Sequence, residues 1–246
     1  MLKGFWKLTW VETKVFVREP LGLIGSLLVP VIVFLIMGRT IGPAPSRSAV
    51  DDSPFNVTIL AALFITIGAV LSLIAIIAIY REGGILKRLR ATPLSPVTIL
   101  GAHVVVKLGF TLASLLLLVA AGRRFLPGAL DVNLVSFGAA LLLGTFSILS
   151  LGFVLASLVP TARFAQPLGA AILYPMVAIS GLFFPVASLP PVVRTVAYAL
   201  PTTHAVALMQ GVWDGLGWGA LWVHVFALLA AFAVCIALST RLFRWE

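Results

Sequence analysis

Six long apolar runs, at 21–37, 55–79, 97–121, 134–159, 164–184 and 220–238, leave this chain little choice of fold. A helix crosses a hydrocarbon core of about 30 Å with roughly 20 apolar residues, and each run approaches or exceeds that length. The runs are continuous instead of alternating, about twice as long as a barrel strand, and rich in Leu and Ala, so helices are expected. With 61% of 246 residues hydrophobic and 10% charged, a single soluble core could not hide the apolar surface. The expected fold class is an all-α polytopic membrane protein with six transmembrane helices, built as one domain over 1–246.

Lys and Arg in the short connections set the orientation. With the N-terminus inside, Lys3, Lys7, Lys14, Arg18, the basic residues of 81–90, Arg163, Arg241 and Arg244 all lie in the cytoplasm. The outside keeps Arg39, Arg47, Arg123, Arg124 and Arg194, partly offset by Asp51, Asp52, Asp131 and Asp214, and the Arg123–Arg124 pair runs against the rule locally. Both termini are therefore expected in the cytoplasm. Residues 1–19 read as a retained amphipathic helix lying in the membrane interface. Lys3, Lys7, Lys14 and Arg18 form one stripe at about 100° per residue, and Leu2, Phe5, Trp6, Trp10, Phe16 and Val17 form the broad opposite side. The net charge of +9 belongs to these topological clusters and not to a continuous polar face, so nucleic acid is not an expected partner.

Two connections carry more than topology. In 81–96, YREGGILKRLRATPLSP from Tyr80 onward, Arg81, Lys87, Arg88 and Arg90 crowd together with Glu82 as the one acid. Helix formers in the middle and a Thr-Pro-Leu-Ser-Pro stop predict a short structured cytoplasmic element, well placed to receive force from a partner. The connection 185–219 is too long for a turn, too interrupted by Pro190, Pro191 and Pro201 for a span, and too apolar for a solvated loop. Two short helices dipping into the outer leaflet are predicted there, as a re-entrant hairpin. Just before it, Ser180, Gly181, Phe183, Phe184 and Pro185 read as an outer gate. Gly181 permits close backbone approach, the two Phe residues are bulky apolar plugs, and the prolines stop the fifth helix.

Catalytic chemistry is not indicated. There is no G-x-x-x-x-G-K-S/T phosphate loop, Gly83 and Gly84 being a bare pair, and His103, His204 and His224 are scattered. Cys235, the only cysteine, lies in an apolar run and offers no disulfide or thiolate site. No Asp or Glu falls inside a predicted span, which counts against a proton relay. Lys107 is the exceptional charge, roughly 15 Å into the third run at 1.5 Å per residue, with His103 one turn earlier on the same face. Either it snorkels to the cytoplasmic headgroups or the pair lines a polar pathway. Pro167 and Pro175 invite a kink in the fifth run, and Gly211, Gly215 and Gly219 form a weak small-residue spacing for helix pairing.

Two motifs carry a family resemblance. REGGILKRLRATPLSP at 81–96 is similar to the segment between spans two and three of type 2 ABC transporter permeases, the bacterial exporter class that includes daunorubicin-resistance and polysaccharide-export membrane subunits. SGLFFPVASLPPVVRTVAYALPTTHAV at 180–206 resembles that family's outer re-entrant hairpin, which is often followed by a basic residue where this chain has Met209 and Gln210. The resemblance implies a non-catalytic permease subunit in a bacterial inner membrane, paired with a second permease copy and with separate ATP-binding cassette subunits that hold ATP and Mg. It implies that Arg81, Glu82, Lys87, Arg88 and Arg90 belong to a coupling helix, supported from the side by the N-terminal helix. The implied cargo is a hydrophobic or amphipathic drug, lipid or glycolipid moved outward. A non-transporting scaffold and an ATP-independent transporter are the competing readings.

Overall fold

The computed structural model describes residues 2–18, 20–40, 56–85, 96–125, 133–159 and 161–242. Among these every regular element is helical: α1 (Leu2–Arg18), α2 (Pro20–Thr40), α3 (Val57–Glu82), α4 (Pro96–Phe125), α5 (Leu134–Leu158), α6 (Ala162–Ala178), α7 (Pro191–Ala199), α8 (Pro201–Trp213) and α9 (Trp222–Leu242), with one 3₁₀ turn at Val186–Ser188. Five helices, α2 to α5 and α9, are long and apolar enough to cross a membrane. The chain is a multi-pass membrane protein. The fifth run differs from its expected extent of 164–184. Its helix α6 has 17 residues and ends at Ala178, because Gly181 turns with φ +93 and Pro185 follows.

Local chemistry accounts for the boundaries. Asn56 and Asn133 each accept two backbone N–H bonds at the starts of α3 and α5. Pro191 and Pro201 occupy the first helical positions of α7 and α8, where a missing N–H costs nothing. The prolines that punctuate 185–219 thus start two short helices there, and Pro167 and Pro175 are accommodated inside α6.

The bundle is centred on α3 and α5. Their most apolar windows are 61% and 72% buried, against 17% for α2 and 11% for α9. In α5 nearly every face meets protein, with α3, α4, α8 and α9 all packed against it. Interhelical hydroxyl bonds fasten this core. Thr66 and Thr145 meet at 2.9 Å between α3 and α5, Ser147 donates to the Leu228 carbonyl of α9 at 2.8 Å, and Ser114 of α4 donates to the Ser26 carbonyl of α2 at 2.9 Å. Gly169 lets α6 close onto α3, since a Cβ there would lie 2.8 Å from Leu71 Cδ2. The glycine spacing at 211, 215 and 219 is not a helix-pairing seam. Gly211 makes room for Leu221, Gly215 turns with φ +79, and Gly219 faces no atom within 4 Å.

Candidate functional site at the basic end of the bundle

The carboxyl end of α3 leads into the basic segment 81–96 through three consecutive polar residues, Tyr80, Arg81 and Glu82, and each grips a different element. Arg81 donates to the carbonyl of Val159, the residue that closes α5. Glu82 accepts the N–H of Ala162, the first residue of α6, at 2.8 Å. A cation therefore sits at the carbonyl pole of one helix and an anion at the amide pole of the next, each the charge its helix end favours. Thr161, the N-cap residue of α6, makes no side-chain capping bond of its own, so Glu82 supplies the cap from 80 residues away.

Tyr80 turns the other way, toward α1. Its hydroxyl lies 2.9 and 3.0 Å from the two carboxylate oxygens of Glu12. His103 of α4 brings Nδ1 to 3.5 Å from the same carboxylate and stacks its ring edge-on to Tyr80 at 5.5 Å. One turn further along α4, the Lys107 ammonium stands 4.0 Å over the ring of Phe16. Glu12, His103 and Lys107 are all at most 5% exposed. Burial pushes the Glu12 carboxyl above its ordinary range, opposed by the Tyr80 hydrogen bond and by the charge of Lys107. Beside this cluster lies a cavity of about 10 Å³, enough for roughly one water, lined in part by Ser26, Ser72, Lys107 and Thr111.

Placement of the sequence candidates is uneven. Arg81 and Glu82 lie at the junction just described, while Lys87, Arg88 and Arg90 fall outside the described residues. His103 and Lys107 are covered by α1, the helix that carries Glu12 and Phe16. Ser180 is buried and donates to the Val177 carbonyl, and Leu182 is fully buried between Gly181 and the two plug candidates. Phe183 and Phe184 are 38% and 64% exposed in the single chain. Sequence reasoning passed over Glu12 and Tyr80. In the structure Glu12 lies on the register Phe5, Thr9, Glu12, Phe16, the face of α1 turned to the bundle, while Trp6, Trp10, Lys7 and Lys14 stay exposed.

No curated protein matches the chain. The family model described as ABC-2 type transporter matches residues 3–213, which take in α1, the basic segment and the two short helices. The chain thus belongs to the ABC-2 type transporter family, the membrane permeases of type 2 ABC transporters.

Proposed function

We propose that the chain is the membrane half of an ATP-driven exporter. It pairs with a second permease copy and with ATP-binding cassette subunits that bind ATP and Mg, and it moves a hydrophobic or amphipathic drug, lipid or glycolipid out of the cytoplasm or inner leaflet. In this reading it spans a bacterial inner membrane six times with both termini in the cytoplasm, α6 being the fifth crossing and α9 the sixth. Membrane lipid surrounds it, α1 lies in the interface, and 185–219 forms the outer re-entrant hairpin.

One observation supports coupling above all. The last turn of α3, at the mouth of the basic segment, holds α1 through Tyr80, the end of α5 through Arg81 and the start of α6 through Glu82. A push on the segment by a nucleotide-binding subunit is thereby delivered to three helices at once. The chain purified alone is expected to turn over no ATP, whereas co-expression with its cassette subunit should give hydrolysis that depends on the permease. Nucleotide turnover by the isolated chain would refute the half-exporter reading.

The outer gate around Ser180, Gly181, Phe183, Phe184 and Pro185 is part of the same proposal. Both Phe residues are partly exposed in the single chain, and in this reading they close the pathway together with a second copy. Phe183→Ala and Phe184→Ala should leave the amount of folded dimer nearly unchanged while raising basal leak about two- to tenfold, since each ring is a large apolar surface. Tightly coupled transport by both variants in reconstituted vesicles, without added leak, would make the segment structural only.

A further inference from the structure

Far along the chain from the basic segment, two histidines twenty residues apart meet in a way that packing alone does not require. His204 lies near the start of α8 and His224 near the start of α9, and their Nδ1 atoms are 3.1 Å apart with ring planes at 46°. The other nitrogen of His204, Nε2, is 3.0 Å from the carbonyl oxygen of Tyr198. A carbonyl can only accept, so Nε2 carries the hydrogen, and in the neutral ring this leaves Nδ1 as a bare lone pair. His224 then donates from its own Nδ1 in the metal-free pair. If its hydrogen moves to Nε2 through solvent, two bare Nδ1 lone pairs are left 3.1 Å apart and no net proton is gained or lost.

These are the marks of a metal-binding imidazole. A ligating histidine characteristically donates its remote N–H to a carboxylate or backbone carbonyl, which fixes the tautomer and the ring orientation. The spacing also fits. Two nitrogens each about 2.05 Å from a metal and 3.1 Å from each other subtend roughly 100° at the ion, between the octahedral and tetrahedral angles. Both rings are only partly buried, which leaves coordination positions open to water. Among the described residues no third His, Cys, Asp or Glu converges with this pair, so these residues offer two imidazoles with the other positions open to water. Neutral imidazole pairs favour borderline transition cations over Mg²⁺ or Ca²⁺, which prefer oxygen ligands.

We propose that His204 and His224 form a two-imidazole site for a divalent transition cation of the Zn²⁺ or Cu²⁺ class, and that the bound ion ties α8 to α9. The inference concerns binding and does not rest on the exporter reading. Since α8 also packs on α5 and bonds to α6 through Thr202 and the Met176 carbonyl, a tie to α9 would restrain the short-helix region against the core.

Cu²⁺ is the probe, because its electron paramagnetic resonance reports the number of bound imidazoles. The full chain, expressed without a polyhistidine tag and held in detergent, should show a two-imidazole signature that added Zn²⁺ displaces. His204→Ala and His224→Ala should each weaken Cu²⁺ binding at least about tenfold and leave at most one imidazole. Should either alanine variant fold poorly, His224→Gln keeps the size and polarity of the side chain and decides the matter by the same two readouts, with its metal-free melting temperature checked against the parent. A further expected result is that Zn²⁺ raises the melting temperature of the parent and not of the variants. The site is refuted if the folded parent shows no two-imidazole signal, or if Cu²⁺ affinity is the same in the parent and in His224→Gln.

Discussion

Changing Lys87, Arg88 and Arg90 together to glutamate is expected to release the ATP-binding subunit and abolish export. Each exchange turns an attraction into a like-charge opposition wherever the partner offers acids, and such juxtapositions cost several kcal/mol at a packed interface. At about 1.4 kcal/mol per decade, association should weaken by at least about a hundredfold. Charge number alone does not produce this outcome, so the triple glutamine variant should be weakened much less. Charge reversal in a short connection between spans is also expected to disturb membrane topology. Reporter fusions at the C-terminus therefore accompany the pull-down. Normal topology with an undiminished complex would remove these residues from the docking surface.

The next largest effect is expected at Glu12. Glu12→Ala leaves the Tyr80 hydroxyl without its buried acceptor, takes away the carboxylate 3.5 Å from His103 Nδ1 and removes the counter-charge of Lys107. Stranding buried polar partners in this way costs about 3 kcal/mol, and α1 should come loose from α3 and α4. Melting temperature should fall sharply, and limited proteolysis should cut near α1. Glu12→Gln retains an acceptor for Tyr80 and should lie between alanine and the parent. The pH response separates charge from shape. Because the carboxyl is raised in the folded state above its ordinary 4.5, the native protein binds the extra proton more tightly than the unfolded chain does. Stability from this group is complete below about 4.5 and is lost as pH rises through the folded-state value. Glu12→Gln should flatten the melting profile over that window. An identical slope in parent and variant would show that the carboxyl does not titrate on unfolding.

The contrast between Glu12 and the apolar runs explains what the sequence could reveal. Runs such as 55–79 and 134–159 announce helices because length and hydropathy are summed over many residues, and α3 and α5 fall within a few positions of them. Proline at 191 and 201 likewise marks the short helices locally. Periodicity in α1 separates water-facing from apolar positions, yet it cannot tell a lipid-facing side from one packed on protein. Trp10 and Phe16 therefore read alike although Trp10 is exposed and Phe16 buried. The same blindness covers the ties between distant residues. Glu82 and Ala162, Tyr80 and Glu12, and His204 and His224 are joined by the folded arrangement, and no local spacing encodes them.

The pairing of α1 with α4 bears on how the protein is made. Lys107 lies within Gly101–Phe125, the 25-residue apolar stretch of α4, and a lysine entering lipid unaccompanied is expensive. Synthesis proceeds from the N-terminus, so Glu12 and Phe16 leave the ribosome long before Lys107 does. The helix with the difficult charge is thus expected to enter a bilayer after Glu12 and Phe16, the groups that face Lys107 in the folded bundle, have already been made, so that α1 would assist the insertion of a later segment of its own chain. Defects in α1 would then surface at the translocon, as failed insertion of α4, before any finished bundle exists to unfold.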